Sequence, residues 1–134
     1  MKSHTVLFAS LLAFSVVGCS NQAASFLVGT SNHALTLELS KSFFWSNWDL
    51  EVTVRNGQKC QRRHILEPSY EKSPQVEVNF PEQNFLILRQ NTYWYVADMK
   101  LCSFQEYKQA PHQPGNLIGA FQNEGGSYQF VKKP

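Results

Sequence analysis

Three groups of residues in this 134-residue chain have the types and spacing to make contacts or do chemistry. The first is the aromatic run Phe43-Phe44-Trp45-Ser46-Asn47-Trp48. Large flat rings stack on sugars, peptides or lipids and lose little entropy on binding, so such a run, if exposed, is a recognition platform. The same rings can instead plug the end of a small β domain, and the sequence leaves both uses open. The second group is basic: Arg55, Lys59, Arg62, Arg63 and His64 fall in one short stretch. They suit lipid phosphates, a glycan carboxylate or an acidic partner. The alternative is a solvated face whose charges pair with Asp49, Glu51 and Glu67. The third is Asp98, which follows Tyr93-Trp94-Tyr95-Val96-Ala97. A carboxylate in such a stretch is either perturbed by burial or set at a strand edge beside a cation.

Arrangements for catalysis are missing. His33, His64 and His112 are scattered, with neither a His-Glu-x-x-His motif nor an i, i+4 pair. No Gly-x-Ser-x-Gly elbow, Gly-rich phosphate loop or Cys-x-x-Cys pair occurs. The expectation is a protein with no catalytic residue, no metal ligands and no cofactor. Twelve basic side chains against ten acidic ones leave a net charge of +2, which makes no case for nucleic acid as a partner.

The amino end carries its own pattern. Val6 to Val17 is apolar or small throughout and uncharged, and it follows Lys2. Twelve residues suit the core of a secretory signal but fall short of the roughly 20 needed to cross a bilayer as a helix. Polar Ser20-Asn21-Gln22 follows at once. Val16-Val17-Gly18-Cys19 resembles the lipobox of bacterial lipoproteins, a resemblance confined to this end of the chain. It implies cleavage before Cys19, a diacylglycerol thioether on the Cys19 sulfur, and acylation (palmitate) of the new amine. Each buried methylene adds about 0.8 kcal/mol, and more than one chain is needed for stable attachment, a condition such a lipid meets. The family pattern uses Asp after the cysteine for inner-membrane retention. Ser20 in that place implies an outer-membrane anchor, with the domain facing the periplasm and cell-surface exposure left open.

Cysteine arithmetic follows from that anchor. Three cysteines is an odd number for an exported chain. Lipidation of Cys19 leaves Cys60 and Cys102, which should pair in an oxidising compartment. The chain then divides into a cleaved signal peptide (1–18), a lipidated tether (19–33) with room for a short strand at Phe26-Leu27-Val28, and a β domain (34–134).

The elements that must hold these groups have a period of two. Leu35, Leu37 and Leu39 alternate with polar residues, as do Leu50, Val52 and Val54, and then Val76, Val78 and Phe80. Phe85 to Leu88 is a short apolar run, Tyr93 to Leu101 reads as a central strand, and Leu117–Phe121 and Tyr128–Val131 complete the set. Turns are expected at Asn56-Gly57, Gln90-Asn91 and Asn123 to Gly126, and longer loops at Glu67–Pro74 and Gln105–Asn116. The expected fold is all-β: a small antiparallel β-sandwich or barrel of about seven or eight strands, with one disulfide. An inter-strand disulfide belongs on the core side. That favours a three-residue turn at Arg55-Asn56-Gly57, with Val52 opposite Cys60 and Asp49 across from Arg63.

The function expected is a membrane-anchored, non-catalytic binding or accessory module for a secretion, pilus or outer-membrane complex, with an envelope protein as partner. The alternative is an inhibitor or ligand-binding domain. The chain is similar in size, anchor and disulfide to small periplasmic lipoproteins that block host lysozymes, but lacks their inhibitory-loop motif. An enzyme acting on peptidoglycan would need a carboxylate or histidine pair in a cleft. Exposure of Phe43, Phe44, Trp45 and Trp48 separates a recognition surface from a core plug, and burial would leave the basic hairpin as the lead.

Overall fold

Alternating apolar side chains become strands wherever a second strand can complete their backbone hydrogen bonds, and here nearly every segment finds one. The computed structural model describes residues 20–28 and 32–134, so the signal segment and Cys19 lie outside the described residues. The described residues form ten strands and no helix. They are β1 Ser20–Val28, β2 His33–Lys41, β3 Asp49–Asn56, β4 Cys60–Ile65, β5 Val76–Glu82, β6 Phe85–Gln90, β7 Tyr93–Asp98, β8 Ser103–Tyr107, β9 Asn116–Glu124 and β10 Ser127–Lys132. Two antiparallel sheets result, one in the order β1-β2-β3-β4 and the other β10-β9-β5-β6-β7-β8.

The sheets meet through the alternation seen in the sequence. Leu35, Leu37 and Leu39 of β2 and Leu50, Val52 and Val54 of β3 are buried against Val76, Val78, Leu86, Leu88, Tyr95 and Phe121 of the larger sheet. Each such side chain contributes about 1.5–3 kcal/mol by leaving water. The sandwich is fastened along both sides. Phe26 of β1 packs on Phe130 of β10 with ring centroids 4.2 Å apart. On the other side a disulfide joins Cys60 of β4 to Cys102 in the turn before β8.

Four details differ from the sequence reading. The segment expected as a tether is, over Ser20–Val28, a full strand that pairs with β2 residue for residue. Its small polar residues carry little strand preference of their own, and β2 together with the Phe26–Phe130 contact supplies what they lack. The Tyr93–Leu101 strand stops at Asp98, whose Oδ1 accepts the backbone N–H groups of Lys100 (2.9 Å) and Leu101 (3.1 Å) and turns the chain. The expected Gln105–Asn116 loop begins later, because β8 runs to Tyr107.

The fourth is the register of the β3–β4 hairpin. Asn56, not Val52, stands opposite Cys60, and Arg63 pairs with Thr53 rather than Asp49. Asn56 stays out of the turn because its side chain is buried, donating from Nδ2 to Lys100 O at 3.0 Å. Gly57 takes the left-handed conformation instead, at φ +50°, and Lys59 N closes the turn on Asn56 O. The disulfide keeps its place on the core side: Cys102 is fully buried.

Candidate functional site

The aromatic run occupies the connection between β2 and β3. Ser46 closes it: its hydroxyl donates to Phe43 O (2.7 Å) and accepts from Phe43 N (3.1 Å), while Ser46 N also donates to Phe43 O (3.0 Å). This tight closure turns three rings outward. Phe43, Phe44 and Trp45 are 51 %, 80 % and 68 % exposed. They also pack on one another, Phe43 stacking on Trp45 at 4.8 Å and Phe44 meeting Trp45 edge-on at 4.6 Å. Together they make one contiguous exposed apolar patch, the kind of feature that larger interaction sites share.

Trp48 does the opposite. It is only 7 % exposed and plugs the sandwich end. Its backbone exchanges two hydrogen bonds of 2.9 Å with Ser69, and its indole Nε1 donates to Lys72 O at 3.2 Å. Lys41 Nζ lies 4.6 Å above its ring. The two uses left open by the sequence are therefore divided along the run: one ring is core and three are surface.

The 66–75 loop that holds Trp48 is itself anchored deep in the larger sheet. Tyr95 Oη accepts the N–H of Glu67 at 3.0 Å, and Gln90 Nε2 donates to Glu67 O at 2.7 Å. Burial pushes the Tyr95 hydroxyl up to about 12 and raises that of Tyr128, which donates to Pro74 O at 2.9 Å. The loop beside the aromatic turn is thus tied to the larger sheet near both of its ends. Exposed Tyr70 comes next to Ser69 on that loop. Sequence reasoning missed Ser69 and Lys72 as partners of Trp48, since the Trp48–Ser69 bridge links distant segments and leaves no local signal.

This aromatic end is also where the described chain begins. Ser20 pairs with Lys41, the last residue of β2 before the turn. Gln22, Leu39, Trp48, Lys72 and Asn123 share one depression there, which places the β9–β10 turn at the same end.

Of the five basic residues only Arg55 and Arg63 come together, lining one basin on the outer face of the smaller sheet. Arg63 lies on the outer face of the smaller sheet, with Nε 3.3 Å from Glu51 and Nη2 3.6 Å from Glu38. Both pairs are solvent-screened and contribute about 0–1 kcal/mol. Arg55 shares that face and helps line a basin of about 500 Å³, its Nε buried with no partner among the described residues. Lys59 sits in the hairpin turn, and Arg62 shares the face of Val54 but reaches solvent from the edge strand. His64 turns inward, Nε2 lying 2.9 Å from Cys102 O and the ring stacking on Phe104. Asp98 is a turn-capping residue.

A further cavity, of about 600 Å³, lies on the outer face of the larger sheet, where residues 108–115 cross from β8 to β9. Phe85, Ile87 and Val96 form its floor, and Glu82 and His112 stand on its wall. Gly115, at φ +83°, lets the crossing backbone touch Phe80 and Pro81, where any Cβ would collide. Among the described residues no three His, Cys, Asp or Glu side chains are placed to hold a metal ion. Compared with protein-family models, curated proteins and solved structures, the chain matches none.

Proposed function

We propose that this chain is a lipid-anchored lipoprotein of the outer membrane whose β-sandwich is a non-catalytic binding module, accessory to an envelope complex. The lipobox-like Val16-Val17-Gly18-Cys19 supports the anchor, and Ser20 after the cysteine supports the outer-membrane address. The observation that carries a contact role at the envelope is the outward display of Phe43, Phe44 and Trp45 on a closed turn. Three mutually packed rings held in one conformation bind without a large ordering cost. In-cell crosslinking followed by purification through the anchored protein tests the reading. Stoichiometric envelope proteins are expected, with fewer recovered when partner-facing residues are changed. An empty eluate under mild crosslinking rejects the accessory role.

The cavity under the 108–115 crossing favours a second reading, a ligand-binding or inhibitor domain. Its apolar floor and polar wall suit a small amphipathic ligand. A lysozyme inhibition assay and a fluorescent fatty-acid displacement assay test it, and flat responses in both remove it.

A further inference from the structure

We infer that Phe43, Phe44 and Trp45 enter the headgroup region of the bilayer, so that the aromatic turn is a second membrane contact beside the lipid. The inference rests on the anchored-lipoprotein reading above; it gives the aromatic turn to the bilayer and leaves the envelope partner the other faces of the sandwich.

Three observations combine. First, β1 starts at Ser20 and pairs from its first residue with Lys41. Cys19 is joined to Ser20 by one peptide unit, a Cα spacing of about 3.8 Å. A lipid on Cys19 therefore brings the β2–β3 turn to the membrane surface with no spacer between. Second, the rings at that turn are Phe and Trp, exposed and contiguous. Tryptophan concentrates at membrane interfaces because its ring is apolar and its N–H is polar, and surface-bound segments sink apolar side chains about 5–10 Å into the headgroup boundary. Third, charge does not explain this end. Lys41 and Lys72 are offset by Asp49, Glu71 and Glu124, the chain neighbours of Trp48, Lys72 and Asn123, so aromatic area must carry the contact. Ser69 and Lys72 hold Trp48, three residues after Trp45, in the sandwich end.

The test uses the full chain, processed in cells, purified from the envelope and reconstituted in phosphatidylethanolamine–phosphatidylglycerol vesicles with brominated acyl chains. Mass spectrometry establishes the state of Cys19, and tryptophan fluorescence reads depth. Bromine should quench the share of emission that one of three tryptophans contributes. Trp45→Phe should abolish that quenched component, while Trp94→Phe should leave it. Quenching that survives Trp45→Phe, or is absent with Cys19 lipidated, overturns this inference alone. A photo-crosslinker at position 45 that captures an envelope protein in place of lipid also overturns it. An unmodified Cys19 overturns the anchoring reading, and this inference with it.

Discussion

The hydroxyl of Tyr95 accepts the backbone N–H of Glu67 at 3.0 Å and passes its own proton toward Gln90 Oε1 at 3.3 Å. Gln90 Nε2 returns to Glu67 O, so the three residues close a buried polar ring at the root of the 66–75 loop. Tyr95→Phe leaves the Glu67 N–H without its partner and should cost about 1–3 kcal/mol, read as a lower urea midpoint.

The same hydroxyl sets an alkaline limit. Burial raises Tyr95 from 10.0 to about 12, and Tyr128 shifts in the same direction. Between these values the unfolded chain has released a proton that the folded chain retains, so stability falls as pH rises. The contribution is complete below pH 10 and lost toward pH 12. Denaturant titrations across this window should show the decline, with a shallower slope in Tyr95→Phe.

The disulfide closes a loop of sequence separation 42 between an edge strand and the opposite sheet. In the chain-entropy account such a loop is worth about 4 kcal/mol. Thermal unfolding with and without reductant should show a loss of that order, and Cys60→Ser should lose as much without any further response to reductant.

Trp45 and Trp48 are three residues apart and should respond in opposite ways. Trp48→Ala removes a buried plug and should cost about 3–5 kcal/mol. Trp45→Ser touches only surface and should stay within about 0.5 kcal/mol of the parent. Denaturant midpoints of the two variants check the contrast.

Gly115 and Gly125 both have positive φ, yet only Gly115 is crowded. Gly125→Ala should cost about 1–2 kcal/mol from backbone conformation alone. Gly115→Ala adds collision with Phe80 and Pro81, and its unfolding midpoint should fall well below that of the Gly125 variant.

The β class was legible because β2, β3 and β5 carry apolar residues every second position, and a core between two sheets needs little more. The pairing of Cys60 with Cys102 was legible from a cysteine count. Most of β1 and all of β8 were hidden because neither has a clear stripe: only Phe26-Leu27-Val28 of β1 reads as a strand, Ser20–Ser25 is polar and small, and Ser103–Tyr107 is mostly exposed. The hairpin register escaped because Asn56-Gly57 looks like a turn pair, whereas Asn56 is spent on Lys100 across the sandwich. Such a contact between distant segments has no local sequence mark. The aromatic run was visible from the start. Which ring would be core depended on Ser69 and Lys72, more than twenty positions away.

The early start of β1 fixes how far this molecule can stretch. Nine residues of strand rise roughly 30 Å, so the opposite tip, with the Cys60–Cys102 bond, stands about that far from Ser20. On the anchored-lipoprotein reading proposed above, in which the lipid sits on the residue directly before Ser20, the sandwich is a short post rather than a head on a leash. Whatever meets its outer tip has to come down to that height, and inserting a flexible linker before Ser20 is the way to lengthen its range.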